Sequence, residues 1–174
     1  MSNAVVLAGG FVALLVVALA LLVVVLRRRF VAVEVSGVSM WPTYAPGDRV
    51  LVRRVASREL SRGQVVVFES ARPGGWPAGP LPAPRSTTWA IKRVAALPGD
   101  PVPADVLRAV AADAGATVPE GSLVVLGDGT DSADSRMWGY VPADRILGVV
   151  VRGLSSGTSA AASPGEPGPS SPLS

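Results

Sequence analysis

Residues 87–94 read TTWAIKRV, and the rest of the chain organises around that stretch. Threonine, tryptophan and isoleucine favour extended backbone, and the period-two alternation of a strand puts Ala90, Lys92 and Val94 on one face. A lysine in that position is either an edge residue with its head in water or an amine buried among apolar neighbours. Working outward, similar Val-rich runs recur at 30–35 (FVAVEV), 49–55 (RVLVRRV), 64–70 (QVVVFES), 122–128 (SLVVLGD) and 145–154 (RILGVVVRGL), separated by Gly, Pro, Asp and Ser. They predict a mainly β domain, a compact antiparallel or mixed sheet over residues 30–154.

The segments between the strands are less regular. PADVLRAVAADAG, residues 103–115, spaces Val106, Leu107, Val110 and Ala114 as on one helix face, with Gly115 as a stop, and predicts one short helix. ARPGGWPAGPLPAPRS, residues 71–86, is too rich in Pro and Gly for regular structure and predicts an exposed loop between strands. Residues 155–174, rich in Pro, Gly and Ser, cannot bury enough apolar surface to offset their ordering entropy and are expected to be disordered.

At the other end, residues 4–26 (AVVLAGGFVALLVVALALLVVVL) carry no charge. At about 1.5 Å per residue they reach the roughly 30 Å of a hydrocarbon core. A cleaved signal peptide would have basic residues before a shorter apolar core and a small-residue cut site after it. Here the basic residues Arg27, Arg28 and Arg29 follow the run, so residues 1–29 read as a retained membrane anchor with a basic flank. By the positive-inside rule that cluster would put the main domain in the cytoplasm.

Composition removes whole classes of chemistry. The 174 residues contain neither histidine nor cysteine, which excludes a Ser-His-Asp triad, a Cys-His pair, imidazole or thiolate metal sites, and disulfides. The net charge of +3 is a weak nucleic-acid signal, because charged residues make up 17% of the chain and three arginines are accounted for beside the membrane helix. No metal, cofactor or nucleic-acid partner is expected. The 16 basic residues comprise fifteen arginines and one lysine, Lys92.

A hydroxyl partner for that lysine lies in SGVSMWPT, residues 36–43, where Ser39 falls between a Gly-containing and a Pro-containing turn just beyond the first strand. Taken alone, such a serine caps a turn far more often than it attacks a substrate. A serine nucleophile needs a base, and without histidine a neutral lysine amine is the best attested substitute. At its ordinary pKa of about 10.4, only one lysine in a few thousand is neutral at pH 7. A base would therefore require burial to lower the pKa by about three units, equivalent to about 4 kcal/mol against the ammonium form.

Four segments in order, SGVSMWPT (36–43), GDRVLVRR (47–54), IKRVAALPGD (91–100) and GDGTDSADSRMWGYVP (127–142), resemble the sequence boxes of the type I signal peptidases, Ser-Lys membrane peptidases that cut signal peptides from exported proteins. The match runs from Ser36 to about Gly153. The resemblance implies Ser39 as nucleophile and Lys92 as general base. It implies Ser132 as a hydroxyl that hydrogen-bonds and orients the amine, and Asp134 and Arg136 as an ion pair that holds the site in shape. It departs from the family in two places. The last box is one residue shorter than the common GDNxxNSxDSR and has Gly129 for Asn, and Gly37 stands where some members place an oxyanion-donating serine, leaving the Ser39 amide as the donor.

The same resemblance implies preprotein substrates with Ala-x-Ala before the cut, contact with membrane lipid, and a domain outside the cytoplasm, against the cue of Arg27–Arg29. A dedicated maturation peptidase for one partner, within the same superfamily, is the enzymatic alternative. A catalytically silent, membrane-anchored scaffold that binds signal peptides is the alternative from a different class. Self-cleaving repressors share Ser-Lys chemistry but have a DNA-binding domain where this chain has its apolar helix.

Overall fold

Alternating valines decide where the chain folds back on itself. In the computed structural model, which describes residues 2–83, 86 and 88–154, seven strands form one sheet: β1 (Phe30–Glu34), β2 (Arg49–Arg53), β3 (Val65–Glu69), β4 (Trp89–Ala96), β5 (Ser122–Leu126), β6 (Val141–Pro142) and β7 (Ile146–Gly153). Their order is β1-β2-β7-β3-β4-β5-β6, and every pairing is antiparallel. The fold is thus mainly β, as expected, without a parallel component. The two-residue β6 was too short to carry a periodicity and was not anticipated.

The central strand β3 explains its unbroken apolar run by being covered on both sides. Val65 and Val67 join Val33, Val50, Val52, Trp89, Ile91 and Leu147 in one cluster; Val66 and Phe68 join Val94, Leu123, Val125, Val141 and Ile146 in another. Register then fixes the lysine. Lys92 lies opposite Val66, and Ala90 opposite Phe68, so the amine belongs to the second, aromatic-bearing cluster rather than to solvent.

Two expectations need correction. Residues 104–111 form successive turns rather than a regular helix: their backbone bonds mix three-residue, four-residue and five-residue spacings, and Ala111 closes the run at φ 50°. The apolar spacing was nonetheless meaningful, because Val106 is fully buried and Leu107 and Val110 pack on a third cluster with Ala96, Val102, Val118 and Val124. The Pro/Gly-rich loop after β3 is largely exposed, but not wholly: Trp76 packs on the second cluster and Leu81 on the first. The tail 155–174 lies outside the described residues.

Helix α1 (Ser2–Arg29) runs straight into β1. Its segment Gly10–Arg29 contains an 18-residue stretch with a mean hydropathy of 2.8 and is long and apolar enough to cross a membrane. None of that segment is buried against the domain, so its leucines and valines have no apolar protein surface to cover them. Arg27, Arg28 and Arg29 fill its last turn, where cations offset the negative end of the helix dipole.

Candidate active site

The nucleophile candidate is carried by a turn, the amine by a strand. After β1, Gly37 adopts φ 86°, a left-handed conformation that favours glycine over any side chain, and the following residues close a turn through Trp41 N–H to Val38 carbonyl (2.9 Å) and Tyr44 N–H to Met40 carbonyl (2.9 Å). Met40 is fully buried in the first cluster and anchors the turn. Ser39 is thereby held with its side chain turned to β4, where Lys92 Nζ donates to Ser39 Oγ at 2.5 Å across 53 residues of sequence. Among the described residues the Ser39 amide has no acceptor. Gly37 supplies only the backbone bend.

Lys92 is 4% exposed. Burial lowers its pKa, and the Asp134 carboxylate pulls the other way with a smaller effect. The Trp138 ring lies 6.0 Å from Nζ, centroid to atom. That is the outer limit of a cation–π contact, worth about 0.5–1 kcal/mol in exposed settings. Full burial of an amine can shift it by about 3–5 units, or several kcal/mol. The ring therefore acts mainly by excluding water, which shifts the amine toward its neutral form.

Asp134 is fully buried. Burial alone would raise its pKa, but hydrogen bonds outweigh it and hold the carboxyl at about 2: Arg136 donates through Nε (3.0 Å) and Nη2 (2.7 Å), and the amides of Gly127 (2.9 Å) and Arg136 (3.1 Å) add to them. Asp134 also caps α2 (Ser135–Trp138), and the Ser135 hydroxyl accepts the Val125 amide at 3.0 Å, pinning α2 to β5. Through these contacts the DSR triplet places Trp138 over the amine.

Ser132 departs from what the resemblance implies. Its hydroxyl is buried close to Asp134, the least of the influences that lower that carboxyl, and among the described residues it meets no partner at full hydrogen-bond geometry, the Lys92 amine included. Its position depends on Gly127, because a Cβ there would fall 2.0 Å from Ser132 Oγ and 2.5 Å from the Ser39 carbonyl oxygen. The shortened box still reaches Ser39, since the Gly129 amide donates to the Ser39 carbonyl at 3.0 Å.

Sequence reasoning overlooked a second brace. Asp128 accepts from Arg93 Nε (2.9 Å) and Nη2 (2.6 Å) and from Thr43 Oγ1 (2.5 Å), tying the nucleophile turn, the lysine strand and the last box together. The Arg93 hydrogen bonds hold Asp128 below the usual carboxylate range. All three residues stand inside the quoted boxes, next to residues already singled out; a bidentate Arg–carboxylate pair was the signal available.

An antiparallel β-domain built around a hydrogen-bonded serine and buried lysine, preceded by an apolar helix, defines the class of protein. Comparison with known proteins narrows it. The family model described as signal peptidase, peptidase S26, matches residues 9–108 and 105–153. Among curated proteins of Synechocystis sp., the chain is similar to a probable signal peptidase I-2, 31% identical over 142 residues and covering 70% of this chain and 62% of that one. It is also similar to a probable signal peptidase I-1, 32% identical over 153 residues and covering 74% of each. The chain thus spans about three-fifths of the length of the first of these relatives. It belongs to the signal peptidase S26 family.

Proposed function

We propose that this protein is a membrane-anchored serine endopeptidase that removes signal peptides from exported preproteins with Ser39 as nucleophile and Lys92 as general base. The observation that carries the reading is the 2.5 Å contact between Lys92 Nζ, a buried amine, and the half-buried Ser39 Oγ. Neutral Lys92 takes the proton as Ser39 Oγ attacks the scissile carbonyl, and the free Ser39 amide donates to the oxyanion. The resulting ammonium protonates the departing amine. Lys92, neutral again, then draws a proton from water as that water attacks the acyl-enzyme, and returning this proton to Ser39 Oγ releases the new carboxylate. Asp134 with Arg136, and Asp128 with Arg93 and Thr43, hold the elements that bear the two reacting groups.

The substrate path follows from unpaired backbone. Among the described residues β1 pairs only with β2, which leaves its outer edge free, and β5 pairs with β4 only from Arg93 onward, which leaves the Trp89–Lys92 edge unused as well. A small depression lined by Val33, Val35, Ala90 and Ile91, with Glu34 and Ser36 also on its wall, lies between them. An extended peptide with small side chains at alternate positions fits such a setting by adding a strand, which agrees with Ala-x-Ala before the cut.

The apolar helix supports anchoring to the membrane, and Ser39 follows Arg29 by ten positions, a span of at most about 35 Å, keeping the site close to a bilayer from which a signal peptide emerges. We place the domain outside the cytoplasm. Arg27–Arg29 have a role as C-terminal partners of the helix dipole whichever face they occupy, which weakens the charge cue. The test is cleavage of an Ala-x-Ala preprotein by the wild type beside Ser39→Ala in detergent micelles. Cleavage after the second alanine by the wild type alone supports the assignment; cleavage by both, or by neither, overturns it.

A further inference from the structure

The reaction as described makes no use of the Pro/Gly-rich stretch after β3, yet that stretch is tied down by buried charge. Glu69, the last residue of β3, is 2% exposed and accepts from Arg72 Nη2 (3.2 Å) and Arg145 Nη1 (3.3 Å). Arg145, 6% exposed, sends Nη2 to the Gly79 carbonyl (2.8 Å) and to Asp144 (2.9 Å). Between these tethers Arg72 and Gly75 exchange two backbone hydrogen bonds of 2.9 Å, closing a tight turn that delivers Trp76 inward. Ion pairs removed from water seldom gain net stability over an apolar replacement, so what this node provides is a fixed loop.

The fixed loop ends in an aromatic contact with the site. Trp76 lies against Phe68 (centroids 6.2 Å) and edge-on to Trp138 (6.4 Å, 86°), and Trp138 lies edge-on to Phe68 (6.2 Å, 73°) and 6.0 Å from Lys92 Nζ. Phe68 and Trp138 come from the sheet and from α2, whereas Trp76 comes from the loop. We propose that residues 72–79 form a strap that positions the general base: Trp76, tethered through Arg145 and Gly79, keeps Trp138 packed across the Lys92 amine and water out of the wall behind it. This rests on the serine–lysine reading given above.

The consequence has a definite sign. Removing Trp76 leaves the outer side of Trp138 unsupported and admits water, so the burial that lowers the Lys92 pKa weakens and the amine moves back toward its ordinary value. Other charges do not compensate. Asp134 is the carboxylate that acts on the amine, and it is held by Arg136. β3 brings Glu69, paired with Arg72 and Arg145, and β5 brings no charge; beyond β5, Asp128 is paired with Arg93. A more basic amine is less often neutral at pH 7, so the acid limb of kcat/KM moves to higher pH, while the plateau above it survives because Ser39 and Lys92 are untouched.

The test uses the full chain in micelles and four proteins: wild type, Trp76→Ala, Trp76→Phe and Arg145→Lys, which keeps a cation beside Glu69 but loses the fork that reaches Gly79. Two readouts are taken between pH 6 and 10: cleavage of an Ala-x-Ala preprotein, and the rate at which acetic anhydride acylates Lys92. Because Lys92 is the only lysine, peptide mapping separates it cleanly from the terminal amine. For Trp76→Ala, both midpoints should rise together by about one unit, with the rate on the acid limb, below both midpoints, down about tenfold and the alkaline plateau retained. Trp76→Phe should fall between it and the wild type, and Arg145→Lys should shift in the same direction. Midpoints that stay fixed, or activity lost equally at every pH, would overturn the strap. Should Trp76→Ala fail to fold, the other two variants decide on the same terms. Wild-type inactivity would strike the peptidase reading alone, since acylation of Lys92 reports on the strap without any cleavage.

Discussion

At the scale of single residues, the account turns on how two ionisable groups are treated by burial. Lys92 is made less basic, so between its lowered pKa and 10.5 the unfolded chain binds the extra proton and stability rises with pH. Asp134 behaves oppositely to an unpaired buried acid: with its carboxyl held at about 2, its contribution is complete above about 3.8 and is lost as pH falls toward 2. Asp134→Asn keeps the volume but weakens the hold on Arg136 and on the Gly127 amide. It should cost about 1–3 kcal/mol in urea denaturation at pH 7, and the loss should shrink near pH 2. That Ser39 and Lys92 would approach one another was legible from the four ordered boxes; the residues alone offered one lysine on an apolar strand face and no competing histidine or cysteine. The state of Ser132 was not legible: whether a hydroxyl reaches an amine is decided by a rotamer and by the missing Cβ of Gly127, neither of which leaves a trace in residue type.

At the scale of elements, the sheet could be read from valine alternation, and its two-sided burial from the unbroken run in β3, because a strand covered on both faces has no polar positions to spare. The turns at 104–111 were misread as a helix because three- and four-residue apolar spacing satisfies both, and only the backbone hydrogen bonds tell them apart. Trp76 was missed for a different reason: a tryptophan among prolines and glycines has no periodicity to assign it to a core. The last box makes a prediction of its own. Gly127→Ala would drive a methyl into Ser132 and the Ser39 carbonyl, and a displacement near 1 Å at reacting groups costs about a hundredfold in rate. We expect at least that loss in kcat/KM with the far-ultraviolet circular dichroism of the sheet unchanged; near wild-type turnover would mean the turn does not set the nucleophile. Asp128→Asn should also slow cleavage, by about tenfold, because it weakens the charge-assisted bonds that join Arg93 to Thr43; unchanged kinetics would assign that brace to stability alone.

At the scale of the whole molecule, an exposed apolar helix continues directly into the edge strand that leads to Ser39. The helix was evident from its lack of charge, whereas its direction through a bilayer was not, because arginines at a helix C-terminus serve the dipole as well as the headgroups. With the domain outside the cytoplasm, protease added to intact cells should degrade it while cytoplasmic markers survive; a domain protected until lysis would reverse the orientation. Deleting residues 1–26 should leave cleavage of a short soluble peptide within about threefold but slow processing of membrane-bound preprotein by at least about tenfold, the loss of effective concentration. Equal losses on both substrates would show that the helix supports the fold instead.

The central claim is that a neutral lysine amine removes the Ser39 proton, and Lys92→Arg tests it most directly. Arginine keeps a long side chain that ends in hydrogen-bond donors but does not give up its proton at usable pH. Assayed beside the wild type on an Ala-x-Ala preprotein, it should be as inactive as Lys92→Ala. Cleavage near the wild-type rate would contradict the account.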